Sequence, residues 1–370
     1  MKVAIIHDWL IELGGAESVL KELVNLYSNA DIYTLVFNSG NPNFSFLKNR
    51  IVRSSFIQRL PGSLKNHRKY LALMPLAIEQ FDLSDYDLVI SSSYCVAKGV
   101  LTGPGQLHVC YCHSPVRYAW DLQHQYLEQS GLSNKKRGVL ARLILHYIRL
   151  WDVRTSNSVD CFIANSNFIA KRIKKVYGRK SLVIHPPVAV EEFNLELEKE
   201  DYYLVCSRLV PYKKIDVIVS AFNRMPDKKL FVIGNGPEMK KLKSLAKDNT
   251  VLLGFQPFET LKEYMEKAKA FVFAAEEDFG IVPLEAQASG TPVIGYGKGG
   301  LLETVVENVT GVFFHEQSPQ AIMEAIWHFE TMHFDYLNIR KHSENFSTSK
   351  FTSSISTFID DKVKESLESC

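Results

Sequence analysis

Residues 271–285 decide the fold, and they read Phe-Val-Phe-Ala-Ala-Glu-Glu-Asp-Phe-Gly-Ile-Val-Pro-Leu-Glu. The apolar run at the start predicts a buried strand, and Pro283 suits the first turn of a helix that follows it. Backbone N–H groups near Gly280 to Val282 would then point outward without helical partners, which favours anion binding. Glu277 falls on the loop and Glu285 in the opening turns of the helix. Two carboxylates that can accept sugar hydroxyls, on either side of a phosphate site, predict a pocket for a sugar nucleotide.

Short apolar runs alternate with amphipathic segments along both halves of the chain. The predicted strands of the first half are residues 3–7, 88–92, 108–112, 161–165 and 182–185, and its predicted helices are 16–27 and 167–177, with Ser166 as N-cap. The predicted strands of the second half are 203–206, 230–233, 251–253, 271–274 and 292–294, and its predicted helices are 215–223, 238–246, 261–267, 282–288 and 318–330. This alternation predicts an α/β protein with parallel sheets covered on both faces.

A domain boundary is predicted where the alternation stops. His185-Pro186-Pro187-Val188 is followed by a polar run that extends to Glu200. We therefore predict one domain over residues 1–188 and a second over 189–344. The tail from about 345 to 370 still carries apolar residues, which predicts a docked helix.

The composition of the chain is that of a globular protein and not of a membrane-spanning or cysteine-rich secreted one. The chain has 370 residues, of which 46% are hydrophobic and 23% charged, as in an ordinary globular protein. It contains no apolar run near the ~20 residues of a membrane span and no signal-peptide pattern, so we expect a cytoplasmic protein. The six cysteines lack metal-ligand spacing and are expected to be reduced and mostly buried: Cys95, Cys110, Cys112, Cys161, Cys206 and Cys370.

Charge is divided unevenly between the two halves. Residues 1–190 carry 23 Lys and Arg against 13 Asp and Glu, whereas the remainder carries 20 against 28. The first half is therefore expected to face something anionic.

Within that half, basic and apolar residues interleave in two segments that contain no acid, one between Asp31 and Glu79 and one between Glu128 and Asp152. Their basic residues are Arg53, Arg59, Lys65, Arg68 and Lys69 in the first, and Lys135, Lys136, Arg137, Arg142 and Arg149 in the second. Two interpretations stay open, a solvated helix face and contact with anionic lipid headgroups or a lipid diphosphate.

Basic side chains follow the first predicted strand of the second half, in the segment Ser207-Arg208-Leu209-Val210-Pro211-Tyr212-Lys213-Lys214. Ligands of parallel sheets bind at the carboxyl ends of the strands, so Arg208 and Lys213 are placed to reach one. Arg offers a planar fork of donors for phosphate, and Lys offers a compact charge. Together with Glu277 and Glu285, they predict a diphosphate site.

Three other segments follow predicted strands. Gly14-Gly15 opens the first helix, where glycine lets the backbone approach a phosphate closely. Gly234-Asn235-Gly236-Pro237 opens another helix, but Pro237 removes a donor, which predicts a turn that borders the nucleotide. His113 ends a strand, with Arg117 and Trp120 close behind it, and both a structural and a functional role stay open.

Taken together, these residues resemble the retaining glycosyltransferases of family four (group 1), which have the GT-B fold. The resemblance covers nearly the whole chain, and its most specific element is the pair Glu277 and Glu285. The segment 111–121, Tyr-Cys-His-Ser-Pro-Val-Arg-Tyr-Ala-Trp-Asp, looks like the branch that contains O-antigen and lipopolysaccharide mannosyltransferases. The resemblance implies two Rossmann-like domains that face each other across a cleft. Residues 1–188 would form the acceptor side, with the helix of about 345–370 packed back on it, and 189–344 the nucleotide-sugar side.

The same resemblance implies a role for each matching residue. Glu285 would bind the ribose hydroxyls, Glu277 the hydroxyls of the donor hexose, and Arg208 and Lys213 the diphosphate. His113 would touch the transferred sugar near the breaking bond. The implied catalytic residues are thus His113, Arg208, Lys213 and Glu277, and the implied donor-binding residues are Gly14, Gly15, Arg208, Lys213, Glu277, Phe279, Gly280, Ile281, Val282 and Glu285. Lys214 stands where many relatives have glycine, which leaves the shape of this loop open.

The activity implied is transfer of a hexose with retention, mannose from GDP-mannose, to a lipid-linked saccharide in cell-surface polysaccharide synthesis. Peripheral contact with the anionic inner membrane surface is implied as well, and no nucleic acid. Because Arg208 and Lys213 can take the place of a metal ion, no metal or other cofactor is expected. The alternatives are a UDP-hexose-dependent transferase, a nucleotide-sugar epimerase and a non-catalytic sugar-nucleotide sensor. An oxidoreductase would need a full glycine-rich dinucleotide fingerprint, and none fits.

Overall fold

The chain forms two compact units in a computed structural model that describes residues 1–129, 131 and 136–368. Unit 1 comprises Met1–Pro187 together with Phe351–Cys370, and unit 2 comprises Val188–Lys350. Two residues named above, Lys135 and Cys370, lie outside the described residues, as do the side chains of Lys136 and Arg137.

Unit 1 is built on a seven-stranded parallel sheet in the order β3-β2-β1-β4-β5-β6-β7. Its strands are β1 Val3–His7, β2 Asp31–Thr34, β3 Val52–Ser54, β4 Leu88–Ser93, β5 Leu107–Cys112, β6 Cys161–Ala164 and β7 Ser181–Val183. Its helices are α1 Gly15–Leu26, α2 Ser63–Asn66, α3 Met74–Glu79, α4 Gln123–Gln129, α5 Lys136–Thr155 and α6 Asn167–Tyr177, with α14 Thr348–Glu368 at the end of the chain.

Both faces of this sheet carry apolar cores, as the alternation along β1 shows. Ile5 packs with Leu20 of α1 and Ile355 of α14 on one face. Ile6 points to the opposite face and packs with Ile78 of α3. Burying one such side chain contributes roughly 1.5–3 kcal/mol, so the two cores hold the carboxyl ends of the strands in a fixed position.

Unit 2 repeats this architecture with a six-stranded parallel sheet in the order β10-β9-β8-β11-β12-β13. Its strands are β8 Glu200–Cys206, β9 Leu230–Ile233, β10 Thr250–Gly254, β11 Ala268–Phe273, β12 Val293–Tyr296 and β13 Gly311–Phe314. Its helices are α7 Ile215–Phe222, α8 Met239–Leu245, α9 Phe258–Lys267, α10 Ile281–Ala288, α11 Leu301–Thr304, α12 Pro319–Glu330 and α13 Tyr336–Ser343. Along β8, Val205 packs with Phe222 on one face and Leu204 with Leu284 on the other.

The prediction of an α/β protein with two parallel sheets is confirmed. All ten predicted strands and all seven predicted helices are present, and the helix Asn167–Tyr177 has the predicted bounds. Its predicted N-cap is also confirmed, because the Ser166 hydroxyl accepts a hydrogen bond from the Ile169 N–H at 3.1 Å. Strands β2, β3 and β13 were not predicted. They have only three or four residues, too few for an apolar period to stand out.

Candidate functional site

The predicted residues of unit 2 collect at the carboxyl ends of four adjacent strands, in the order β9, β8, β11 and β12. Lys213 lies in the short 3-10 turn Pro211–Lys213 after β8, and Glu277 lies on the loop after β11. The Lys213 ammonium contacts the Glu277 carboxylate directly, and both side chains are largely buried, at 14% and 25% exposure. The Lys213 ammonium also lies 5.7 Å from the centre of the Phe273 ring. Two predicted groups, 64 residues apart in sequence, therefore form one ion pair.

The Glu277 backbone is held by a glycine pair at the end of β12. Glu277 and Gly299 form a parallel β-bridge, and the Gly300 N–H donates to the Glu277 carbonyl at 2.8 Å. A Cβ atom on Gly299 would lie 2.4 Å from that carbonyl oxygen, and one on Gly300 would lie 2.4 Å from the Asp278 oxygen. Only glycine permits this close approach, so the pair fixes the position of the glutamate loop.

Helix α10 begins directly after this loop. Gly280 is its N-cap residue, with φ of 102° in the region that favours glycine, and no side chain caps the helix. The N-cap residue therefore supplies no side-chain acceptor for the first N–H groups of the helix, those of Ile281 and Val282. The Phe279 side chain is buried and packs against the Phe346 ring at 5.8 Å, so only its backbone can face a ligand.

Glu285 lies one turn into α10. Its carboxyl keeps some surface exposure, but protein surrounds it closely enough that desolvation, with a smaller contribution from Glu192, raises its pKa to about 7. At the end of β8, burial raises the pKa of the Cys206 thiol to about 12. The Glu285 charge adds to that shift, and the Lys213 charge opposes it. Glu285 and Lys213 thus both lie within electrostatic reach of the same strand end.

Arg208 stands two residues after β8, with an exposed side chain. Its loop is fixed by the glycine turn after β9, because the Leu209 N–H donates to the Asn235 carbonyl at 2.9 Å. A Cβ atom on Gly234 would lie 1.8 Å from the Ser207 carbonyl oxygen. This glycine is therefore required by a backbone contact that sets where the Arg208 loop passes.

The loop ends at Lys214 in a left-handed conformation, with φ of 56° and ψ of 32°. This conformation costs a side chain with a Cβ roughly 1–2 kcal/mol and costs glycine nothing. The expectation of glycine at this position thus has a physical basis, and the lysine adopts the same geometry under strain.

In unit 1 the glycine turn predicted at Gly14-Gly15 begins helix α1. Gly14 is the N-cap residue, both glycines are exposed, and no side chain caps the helix. Glu17 lies in the first turn with a buried side chain, which turns inward to His7.

His113 is the last member of a hydrogen-bonded relay that starts at this glutamate. The Glu17 carboxylate accepts from Nε2 of His7 at 3.2 Å. The Ser92 hydroxyl lies 3.0 Å from Nδ1 of His7 and 2.8 Å from Nε2 of His113. The hydroxyl can donate to one of these two ring nitrogens and accept from the other, so the relay holds the His113 ring in place.

Strand order explains why these groups meet. His7 ends β1, Ser92 lies near the end of β4, and His113 directly follows β5, and these are three adjacent strands of the sheet. Burial, with a smaller contribution from the neighbouring His7, lowers the pKa of His113 to about 3, so the imidazole is neutral at physiological pH. A neutral imidazole whose Nε2 is held by Ser92 can form a hydrogen bond to a ligand hydroxyl through its other ring nitrogen.

Two family models match the chain, one after the other. "Glycosyltransferase Family 4" matches residues 13–192, and "Glycosyl transferases group 1" matches residues 188–346. The two matches together cover residues 13–346, which contain every strand of the described structure except β1. This chain is a family-four glycosyltransferase.

Among curated relatives of the glycosyltransferase is the alpha-1,3/1,6-mannosyltransferase ALG2 of Kluyveromyces lactis. It is 24% identical over 378 aligned positions, which cover 83% of this chain and 71% of the relative. A GDP-mannose-dependent phosphatidylinositol monomannoside mannosyltransferase of Mycobacterium tuberculosis is 33% identical over 204 positions, 47% of this chain. The chain spans only about half of that relative, 53%.

Solved structures confirm the GT-B fold of the glycosyltransferase. Anabaena HepE, in complex with UDP-glucose, superposes with a TM-score of 0.69 at 17% identity, covering 98% of this chain and 100% of HepE.

None of the described helices of the glycosyltransferase is both long and apolar enough to cross a membrane. Among the described residues, no cluster of three or more His, Cys, Asp or Glu is arranged to hold a metal ion.

Sequence reasoning missed the relay in the glycosyltransferase and two buried anchors of unit 1. The Asp8 carboxylate is fully buried after β1 and accepts four backbone N–H groups, from Tyr94, Cys95, Val96 and Ala97, at 2.6–2.9 Å. Lys98, equally buried, pairs with the Asp152 carboxylate at 2.7 Å. An acid placed directly at a strand end is the one signal that could have pointed to Asp8.

Proposed function

We propose that this glycosyltransferase moves a hexose, mannose from GDP-mannose, with retention onto a lipid-linked saccharide in cell-surface polysaccharide synthesis. The observation that carries the proposal is the Lys213–Glu277 ion pair beside the uncapped start of α10. A cation for phosphate, a carboxylate for hydroxyls and outward N–H groups lie at one sheet edge there. That combination matches the parts of a sugar nucleotide.

Donor binding would exchange the partners of this ion pair. In the free protein Lys213 and Glu277 neutralise each other. With the donor in place, Lys213 and Arg208 bind the diphosphate, the Glu277 carboxylate accepts from hexose hydroxyls, and Glu285 accepts from the ribose. On unit 1 we assign a phosphate contact to Gly15 and a hydrogen bond to the transferred sugar to His113.

This arrangement would stabilise the transition state selectively. As the bond from sugar C1 to the phosphate oxygen breaks, negative charge grows on the diphosphate and positive character grows on the sugar. Fixed cations at the diphosphate interact most strongly at that moment, which lowers the barrier. For retention, the acceptor hydroxyl attacks on the face that the phosphate leaves, and the departing phosphate oxygen takes the hydroxyl proton. Glu277 then positions the sugar and does not form a bond to it.

The choice of mannose rests on the relatives, two of which carry mannosyltransferase names. A UDP-hexose donor is the second candidate, because the HepE structure that shares the fold holds UDP-glucose. A thermal-shift screen with GDP-mannose, GDP-glucose, UDP-glucose and UDP-galactose separates the two, since a bound donor stabilises by mass action. Stabilisation by GDP-mannose alone is expected. A larger shift with a UDP-sugar would overturn the mannose assignment.

Donor binding alone does not separate a transferase from a sensor or an epimerase. Incubation with GDP-mannose and a polyprenyl-diphosphate-linked saccharide is expected to release GDP and extend the acceptor by one α-linked hexose. Binding without release of GDP would indicate a sensor, and conversion of the free donor into another nucleotide sugar would indicate an epimerase.

We also propose that transfer requires no divalent cation, because Arg208 and Lys213 supply two positive charges for the leaving diphosphate. The transfer rate is expected to stay the same when EDTA is added. A loss of activity that Mg²⁺ or Mn²⁺ restores would contradict this proposal.

A further inference from the structure

Helix α5 of unit 1 is apolar on both of its faces. Its inner face is buried, with Leu145 and Ile148 packed against Leu71 and Ala119. Its outer face carries a line of exposed apolar side chains, which we call the α5 ridge: Val139, Leu140, Leu143, Tyr147 and Leu150. The ridge residues are 59%, 61%, 61%, 44% and 62% exposed. A soluble helix normally places polar residues on that face, so the ridge needs a partner.

The spacing of the ridge makes it continuous. Positions 139, 143 and 150 differ by four and seven residues, which aligns them along one side of a helix. At about 1.5 Å per residue, the line from Val139 to Leu150 runs for roughly 16 Å. Leu140 and Tyr147 widen it on one side. This is the geometry of a helix that lies flat on an apolar boundary.

Basic residues lie beside the α5 ridge. The chain has no acidic residue from 129 to 151, and helical spacing puts the exposed Arg154 in line with the ridge and the exposed Arg142 on its flank. Arg154 is paired with Glu79 at 2.7 Å. Arg149, predicted as part of a basic surface, instead turns inward, where its guanidinium donates to the Ala119 carbonyl at 2.7 Å.

A neighbouring segment of unit 1 also exposes leucines and basic side chains. Leu71 packs against the inner face of α5, and the residues around it expose Leu73 at 39% and Leu76 at 50%. The preceding residues Lys65, Arg68 and Lys69 are exposed as well. The chain has no acid between Asp31 and Glu79. Exposed leucines and cations thus recur on segments that pack against each other.

We propose that the α5 ridge inserts into the headgroup region of an anionic membrane, with Arg142 and the basic residues of 65–69 facing lipid phosphates. This inference deepens the proposed function, because it rests on a lipid-linked acceptor and names the surface that brings the enzyme to it. Apolar insertion and attraction to anionic lipid reinforce each other in such helices. A second copy of the chain fits less well, because pairing two ridges would bring like charges together.

Flotation of the full chain with vesicles tests the proposal. Binding is expected to vesicles of phosphatidylcholine with 30% phosphatidylglycerol, to weaken in 0.5 M salt, and to be much weaker with phosphatidylcholine alone. Leu150→Glu places a charge at the C-terminal end of the ridge and is expected to reduce partitioning about tenfold or more. Leu337→Glu is the matched control, since Leu337 is a helical leucine of unit 2 with 61% exposure. It is expected to float like the wild type.

Three outcomes would overturn the inference: no binding to either vesicle, equal binding of wild type and Leu150→Glu, or a dimer in solution that Leu150→Glu dissociates. The last would assign the ridge to self-association. The thermal shift with the nucleotide-sugar donor is measured on the same proteins and is expected to be unchanged in both variants. A failure of donor binding would therefore count against the proposed function, and a failure of flotation against the ridge alone.

Discussion

The two units share a parallel-sheet architecture but place opposite kinds of chemistry at the ends of their strands. In unit 2 the strand ends carry charged groups, with Lys213 held by Glu277 and the Glu285 carboxyl close by. In unit 1 the relay from Glu17 ends at His113, whose pKa of about 3 keeps the ring neutral. Under the proposed function, unit 2 would bind the charged diphosphate and unit 1 would orient a neutral imidazole.

This difference teaches how each site is prepared for its ligand. The relay of unit 1 is already formed in the protein without a ligand. In unit 2, Lys213 and Glu277 bind each other, and under the proposed function the donor would have to separate them. Substitutions in unit 2 should therefore act on donor binding and on charge development, whereas substitutions in unit 1 should act on orientation.

The largest effect is expected from Arg208→Ala in unit 2. Loss of one fixed cation at the leaving diphosphate should lower kcat/KM by about 10²–10³, equivalent to ~2.7–4 kcal/mol. Steady-state transfer assays measure this change. Arg224→Ala, an exposed arginine just after α7, is the matched control and should keep the wild-type rate. A change of less than a few-fold in Arg208→Ala would remove Arg208 from the diphosphate site.

Glu285→Gln should have opposite effects on stability and on donor binding. The native carboxyl has a pKa of about 7 against its usual 4.5. The native state therefore holds this proton more tightly than the unfolded state, and stability falls as pH rises from about 4.5 through 7. At pH 8 the glutamine variant lacks the buried charge and should melt higher, by roughly 5 °C. Near pH 4.5 the two proteins should melt alike.

Added donor should stabilise the wild type more than Glu285→Gln, the reverse of the order expected for the two melting temperatures without donor. Nucleotide sugar is expected to raise the melting temperature of the wild type at pH 8 and to raise that of Glu285→Gln much less. An equal shift in both proteins would show that Glu285 does not contact the donor.

A smaller effect is expected from Ser92→Ala in unit 1, which breaks the link between His7 and His113. Loss of one orienting hydrogen bond should lower kcat about tenfold, or ~1.4 kcal/mol, with little change in donor binding. Ser91→Ala is a closely matched control, because the buried Ser91 hydroxyl lies 2.8 Å from Nε2 of a different histidine, His108. If Ser92→Ala and Ser91→Ala lowered kcat equally, the relay would stabilise the fold without orienting His113 for catalysis.

The smallest effect is expected from Lys214→Gly. Glycine relieves the left-handed backbone at this position, and we expect a gain of about 1 kcal/mol, less a few tenths from the freer unfolded chain. Chemical denaturation followed on unit 2 measures this gain. A loss of stability would mean that the lysine side chain contributes more than the strain costs.

Much of unit 2 could be predicted because its signals are local. The strand before Glu277, the glycine at 280 and the helix that carries Glu285 lie within fifteen residues, so their order along the chain already places them. The Lys213–Glu277 contact also follows from a general property of parallel sheets, in which the carboxyl ends of all strands meet at one edge.

The relay of unit 1 could not be predicted in the same way. Ser92 is 85 residues from His7 and 21 from His113. Their contact depends on β4 lying between β1 and β5, and no local pattern encodes that strand order. The α5 ridge could not be predicted either, for a related reason. Apolar residues on both faces of a helix show no period, so the pattern could not tell which face is buried.

The last helix sets the order in which the protein can be assembled. Phe351, Ile355 and Ile359 belong to the same apolar cluster as Leu23 of α1, and the Phe351 ring lies 5.9 Å from that of Tyr111. During synthesis, the ribosome completes the whole of unit 2 before it makes these side chains. Until these side chains are made, part of the apolar core of unit 1 therefore stays exposed to solvent. A fragment ending at Pro187 should keep that apolar surface exposed and aggregate.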